Sequence, residues 1–363
     1  MPKEYPFQPD YAVPPGATVK ETLEAKGLSQ ADLAVRSGMT EKTISQIING
    51  IAPISHETAG KLEMVLGIPA RFWNARELTY RESLFRIEEQ GRLEKDAEWL
   101  EEIPLKLLMD RGWVKPGLDR RSLVREALRF FGVSSVDAWR EAWERPCVQY
   151  RGAKAQKHHP GHVAAWLRMG EIAAESVRCQ PYNAGAFRDA LAQIRALTTQ
   201  PAAVWRKEVV RLCAEAGLAV VLVREVPSAG VSGVAKWITK DKALIQLSLK
   251  YKTDDQFWFS FFHEAGHILL HGKKEVFVED GRLATDEERE ADQFARDMLV
   301  PRARIRELAY LKTKSAICNF AQSLQVSPGI VVGRLQHDKL LPPSHCNDLK
   351  KKLQWAEPPT GNE

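Results

Sequence analysis

The sequence predicts a mainly α-helical chain with a smaller α+β part towards its C-terminal end. Three observations carry that expectation. Residues 18–66 alternate short helical patterns with tight breaks. A long middle stretch keeps helical amphipathic periodicity. Near residue 217 the period changes to two short runs rich in Val, Ile and Leu, and a long apolar helix follows. With 363 residues the chain has room for two or three domains.

The first module is punctuated at Gly27, Gly38, Gly50 and Pro53. Ser29 is placed to cap a helix starting at Gln30, and Gly38 makes a tight turn. Thr40 caps a second helix, TEKTISQIING, which is expected to end at Gly50. On that helix Ile44, Ile47 and Ile48 form a narrow apolar side. Glu41, Lys42, Thr43, Ser45, Gln46 and Asn49 form the outer face. A short helix with so polar a face is often merely solvated. The glycine turn joining two short helices favours a helix-turn-helix, whose second helix must present its first turns to a DNA groove. A helix-turn-helix that binds only protein is the plainer alternative.

From about residue 81 to 199 the helical pattern continues in segments such as RSLVREALRFFG and HVAAWLRMGEIAAESV. GLAVVLVREVP, from Gly217, and KALIQLSLKY, from Lys242, are short enough to be strands. Beyond Pro301 the chain is helical again through SAICNFAQSLQ and PGIVVGRLQHDKLL, and it ends in a polar tail.

Charged residues make up 27% and the formal net charge is +5, which permits nucleic-acid contact without demanding it. The stretch MPKEYPFQPDY carries acids and prolines where a secretory signal would have an apolar core. The longest apolar runs are too short to span a bilayer, so a cytoplasmic protein without membrane contact is expected. Five scattered cysteines with no C-x-x-C pair argue against a disulfide framework or a thiolate zinc site.

The run DQFWFSFFHEAGHILLHG has no proline and a long apolar face, and reads as one helix stopped at His271-Gly272. His263 and His267 lie one turn apart and point the same way, so their ring nitrogens can grip one cation. Two core histidines are the bland alternative. Burying two imidazoles and a carboxylate without a cation or partners, however, costs several kcal/mol in desolvation. Zinc suits neutral imidazoles, a carboxylate and an open position. Glu264 is then a general base rather than a ligand.

A third ligand can come from TDEEREADQFARDMLVP. There Ala291, Phe294, Ala295, Met298 and Leu299 share one helical face, Glu287 and Glu288 fall towards it, and Glu290 turns away. Periodicity leaves Glu287 and Glu288 level. Glu288 also has a structural reading, as the partner of Thr285 in a capping box. His271 is spaced to be a ligand but sits at the helix end. Tyr251 is a candidate transition-state stabiliser only through standing near the metal helix.

HEAGHILLH followed by EREADQFARDMLVP resembles the ImmA/IrrE family of bacterial metallopeptidases, whose pattern is H-E-x-x-H, a variable loop, then E-x-x-A-(N/D)-x-F-A ending in Leu and Pro. The match takes in Glu288, Ala291, Asp292, Phe294, Ala295, Leu299 and Pro301. It implies a zincin-like domain holding Zn2+ through His263, His267 and Glu288. It also implies that Asp292 holds a zinc-bound histidine in its tautomer. The strand ALIQLSL resembles the family's strand before the metal helix, which implies an edge near Leu244 to Leu249 able to pair with an extended substrate.

Residues 14–80, including PPGATVKETLEAKGLSQADLA and FWNARELTY, resemble the XRE/HigA class of antitoxins and repressors. This resemblance implies a five-helix-type domain on operator DNA. Base-edge contacts would come from Glu41, Lys42 and Gln46, phosphate contacts from Gln30, Thr43 and Asn49, with Thr40 at the DNA-facing helix end. Acids and bases roughly balance across the module, so a homodimer on a palindromic site is expected to compensate for weak phosphate attraction.

The expected division is a helix-turn-helix domain over 1–85, a helical connecting region over 86–200, a zinc metallopeptidase domain over 201–312 and a C-terminal helical segment over 313–363. The expected function is a DNA-binding transcriptional regulator whose zinc endopeptidase site cleaves a repressor or antitoxin-type protein. The alternative is a non-enzymatic, HigA-like antitoxin and autorepressor that binds a toxin, with the zinc domain structural or sensory.

Overall fold

The computed structural model describes residues 10–146, 159–272, 277–279 and 286–355. The chain divides into two compact units, one of Met1–Ala97 with Asp119–Val124, the other of Glu98–Leu118 with Arg125–Glu363.

Five helices build the described part of the first unit: α1 (Pro15–Lys26), α2 (Gln30–Ser37), α3 (Glu41–Ile48), α4 (His56–Leu66) and α5 (Ala70–Lys95). Their ends are written locally. Ser29 Oγ accepts from the Asp32 backbone N–H while the Asp32 carboxylate accepts from the Ser29 N–H, closing a capping box at the start of α2. Gly38 ends α2 at φ 69°, a left-handed conformation that glycine adopts without a Cβ penalty. Thr40 Oγ1 then accepts from the Thr43 N–H at 3.1 Å and opens α3. The helix stops at Ile48, two residues before Gly50. Ile44 and Ile47 are buried with Leu33, Leu62 and Trp73, and Ile48 packs partly buried against them. The indole of Trp73 donates to the Ile68 carbonyl at 3.1 Å, so its one polar atom is satisfied within the core.

The later elements are α6 (Leu105–Asp110), α7 (Arg120–Phe131), α8 (Val136–Trp139), α9 (Pro160–Glu175), α10 (Ala184–Leu197), α11 (Ala202–Glu215), β1 (Leu218–Leu222), β2 (Gly233–Thr239), β3 (Lys242–Leu247), α12 (Asp254–Leu270), β4 (Phe277–Glu279), α13 (Asp286–Leu299), α14 (Lys314–Leu324) and α15 (Pro328–His337). The second unit is organised on a sheet of order β1-β3-β2-β4. Strands β1 and β3 are parallel, while β2 is antiparallel to both β3 and β4.

Two expectations are corrected here. The strand at ALIQLSL is not an edge, because β3 pairs with β1 on one side and β2 on the other. Its backbone groups are taken by those ladders, and an extended substrate cannot add to it there. The long helix also does not end on a glycine stop. Helix α12 ends at Leu270, and His271 leaves it in extended conformation, φ −109° and ψ 165°, while its N–H still bonds the His267 carbonyl at 3.1 Å.

The period-2 alternation of β3 explains how the sheet is covered. Ala243, Ile245 and Leu247 join the core formed with Phe261, Phe262 and Ala265 of α12. The intervening Gln246 donates its Nε2 to the Trp166 carbonyl of α9 at 2.7 Å. Helices therefore cover both faces of the strand, which is why all but its first residue are buried. Among the described residues, no helix is long and apolar enough to cross a membrane. Cys179, Cys213, Cys318 and Cys346 carry free thiols, and Cys147 lies outside the described residues.

Candidate functional site

Helices α12 and α13 meet at Gly266. A Cβ added there would stand 3.1 Å from the Cα of Ala291 and 3.2 Å from Phe294 Cδ1. Small residues on the two facing surfaces, Gly266 against Ala291 and Ala295, let the backbones approach closely enough for Glu288 to reach across.

The side chains of His263 and His267, 2% and 1% exposed as residues, point from α12 towards α13. Their Nε2 atoms stand 3.0 Å apart. Glu288 Oε2 is 3.2 Å from the first and Glu288 Oε1 is 3.3 Å from the second. Among the described residues these three form a group whose ligand atoms all lie within 4.8 Å of one another. Ligands tetrahedrally disposed at about 2.0 to 2.2 Å from a zinc ion stand roughly 3.3 to 3.6 Å apart, a few tenths of an ångström above the separations found. The donor set and its spacing therefore fit a small divalent cation.

The electrostatics agree with that fit. Burial pushes the His267 imidazole below its ordinary value, favouring the neutral ring whose lone pair binds metal. Burial alone would raise the Glu288 carboxyl, but hydrogen bonds with His263 and His267 outweigh it and hold the group at about 2. It is a carboxylate at neutral pH. Asp292, one turn after Glu288, places Oδ1 3.0 Å from His263 Nδ1 and receives Arg296 Nη2 on Oδ2 at 3.2 Å. A proton on His263 Nδ1 leaves its Nε2 lone pair free to face the group.

Glu264 is completely buried, on the same turn as His263. The backbone of β2 passes close beside it: a Cβ at Gly233 would lie 2.5 Å from Glu264 Oε1 and 3.0 Å from its Cγ. Sequence reasoning missed Gly233, because nothing in the spacing of GVSGVAKWIT marks it as a neighbour of the metal helix.

Other candidates fall elsewhere. Glu287 is half-buried and outside the three-residue group. His271 is also outside it; its Nδ1 stands 2.9 Å from His267 Nδ1 and its Nε2 3.2 Å from Glu290 Oε2. Tyr251 is exposed, with the Lys250 ammonium over its ring. Thr285, the other possible partner of Glu288, lies outside the described residues.

In the first unit, Gln30, Thr40, Glu41, Lys42 and Asn49 are exposed, while Thr43 and Gln46 are half-buried. Thr40 and Thr43 share a hydroxyl hydrogen bond of 2.8 Å, and Asn49 Nδ2 donates to the Ser45 carbonyl at 2.8 Å. The outer surface of α3 thus offers Glu41 and Lys42 with Gln46 one turn on, and Thr40 and Asn49 close the two helix ends.

Residues 219–336 match the family model described as IrrE N-terminal-like domain. Residues 19–73 match the model described as Helix-turn-helix. The chain thus carries a helix-turn-helix domain near its N-terminus and an IrrE N-terminal-like, peptidase-type domain near its C-terminus. No curated protein matches it.

Proposed function

We propose that this chain is a DNA-binding transcriptional regulator with a zinc-dependent endopeptidase site directed at a repressor or antitoxin-type protein. The observation that carries the peptidase reading is the convergence of His263 Nε2, His267 Nε2 and the Glu288 carboxylate, with the buried Glu264 next in sequence to His263 on the same helix. The family matches at both ends support the pairing of a DNA-binding function with a peptidase function.

In this reading His263, His267 and Glu288 would hold a zinc ion. The chemistry zinc supplies when bound is Lewis-acid polarisation of a peptide carbonyl and a lowered pKa for water, near about 7. Glu264 accepts the proton of the attacking water on a carboxylate oxygen and returns it to the departing amine nitrogen. Asp292 keeps His263 in the tautomer that presents Nε2. The DNA-binding part is assigned to residues 1–85, with Lys42, Gln46 and Glu41 on base edges, Gln30, Thr43 and Asn49 along the backbone, and Thr40 among the DNA-binding residues at the helix start. The peptidase part is assigned to residues 201–312, joined by 86–200 and followed by 313–363. Because acids and bases roughly balance across the module, operator binding is assigned to a homodimer.

Incubation of a repressor or antitoxin encoded beside this chain with the wild type and with Glu264→Gln tests the reading. Cleavage by the wild type and none by the variant supports an endopeptidase. No cleavage by either while the chain still binds the partner favours the non-enzymatic, HigA-like antitoxin, and equal cleavage by both removes Glu264 from the role of base.

A further inference from the structure

Each histidine of the three-residue group has a polar group behind it, and the two are of different kinds. His263 is backed by the carboxylate of Asp292. His267 is backed by another histidine, His271, whose side chain is only 6% exposed although it sits at the end of α12. One turn beyond His267, at the C-cap of α12, the His271 ring lies back along the helix with its Nδ1 2.9 Å from His267 Nδ1.

The order of protons along this contact follows from the geometry. His267 directs Nε2 into the group, 3.0 Å from His263 Nε2 and 3.3 Å from Glu288 Oε1. If that nitrogen is to donate a lone pair to a cation, its ring proton must sit on Nδ1. His267 Nδ1 faces His271 Nδ1 at 2.9 Å, and one of these two must donate and the other accept. With His267 as donor, His271 accepts on Nδ1 and carries its own proton on Nε2. That nitrogen faces Glu290 Oε2 at 3.2 Å, an acceptor only. Every hydrogen bond then has one donor and one acceptor, running from His267 through His271 to Glu290.

We propose that His271, anchored by Glu290, is a positioning residue that accepts the Nδ1 proton of His267 and so fixes the tautomer and ring orientation in which His267 binds metal. This rests on the reading of His267 as a metal ligand, and extends it by two residues outside the three-residue group. The relay also accounts for Glu290, which periodicity turns away from the metal group and which instead meets the ring behind it.

The test is zinc affinity of the full chain, measured by competition with a chromophoric chelator, together with the d–d absorption of the Co2+-loaded protein. His271→Phe fills the same space but offers no acceptor, and is expected to weaken zinc binding by about 10- to 100-fold and to alter the Co2+ band. His271→Asn places its Oδ1 where Nδ1 stood and is expected to restore affinity to within a few-fold of wild type. Melting of the metal-free proteins separates positioning from packing, since both variants should melt with the wild type. Glu290→Leu, on an exposed side chain, is expected to weaken binding less than His271→Phe and carries the test if that variant fails to fold.

Wild-type affinity in His271→Phe, or in Glu290→Leu where the first does not fold, overturns the proposal. So does an equal loss in His271→Asn and His271→Phe. A wild type that takes up no zinc overturns the metal reading itself, an outcome distinct from either of these.

Discussion

Replacing Gly233 by Ala tests how Glu264, the proposed general base, is held. The backbone at Gly233 is not left-handed, so alanine meets no conformational penalty and its whole effect comes from space. The new methyl would stand 2.5 Å from Glu264 Oε1, 3.0 Å from its Cγ and 3.1 Å from its Cδ, all nearer than normal contact. Either β2 withdraws or the Glu264 side chain moves. Withdrawal is opposed by pairing on both sides, because Gly233 stands opposite Leu247 of β3 and Glu279 of β4. Movement of Glu264 is opposed by its complete burial. Overpacking of this kind costs about 1 to 3 kcal/mol, and a displaced general base loses about 100- to 10,000-fold in turnover. His263, His267 and Glu288 are untouched. Gly233→Ala is therefore expected to melt several degrees lower, to keep its metal, and to cleave a confirmed substrate at least about 100-fold more slowly. Melting by calorimetry, metal content and turnover are measured on one preparation. Unchanged melting together with unchanged turnover would refute the close approach of β2 to Glu264 and the positioning argument built on it.

Further outcomes follow from other parts of the chain. Substituting Lys42 and Gln46 together by Ala is expected to remove about 1 to 3 kcal/mol of discrimination per lost base contact without changing metal content, read by binding of specific and scrambled duplexes at fixed salt. Unaltered sequence preference would move the DNA surface elsewhere. Trp73→Ala, in a site with no exposure, is expected to cost about 3 to 5 kcal/mol of stability, measured by denaturant unfolding. A cost below 1 kcal/mol would mean that this core collapses around the gap. The pH dependence has a defined sign. His267 has its folded value depressed by burial, so its contribution is full above the ordinary 6.5 and is lost as pH falls below it. Glu288 adds a second loss between its ordinary 4.5 and about 2. Metal-free protein should therefore lose stability in two stages on acidification, and substitution of His267 by Gln should remove the upper one.

The helix-turn-helix was legible because its signals are local: Ser29, Gly38 and Thr40 set its turns by capping and left-handed backbone. The metal helix was legible for a similar reason, since spacing along one helix dictates which side chains share a face. What lay across space was harder to read. Periodicity left Glu287 and Glu288 level, and the structure brings Glu288 to the histidines because α13 crosses α12 at Gly266 and Ala291. Strand β2 was missed because only three of its seven residues are buried, while Lys236 and Thr239 dilute its pattern. Its strand character comes from its pairing partners rather than from propensity. The edge reading of β3 failed although a signal was present. A near-continuous apolar run is what a strand covered on both faces displays, and ALIQLSL is such a run. The place of His271 was hidden because spacing alone suggests a ligand, whereas its ring stands behind His267, with the two Nδ1 atoms 2.9 Å apart.

The most direct measurement of the central claim is the metal content of the purified wild type beside Glu288→Ala and Glu264→Gln. About one zinc per chain is expected in the wild type, nearly full zinc in Glu264→Gln if that carboxylate is a base and not a ligand, and loss of most of it in Glu288→Ala. Full zinc occupancy in Glu288→Ala would contradict the claim, since the carboxylate that closes the group on His263 and His267 would then not be holding the metal.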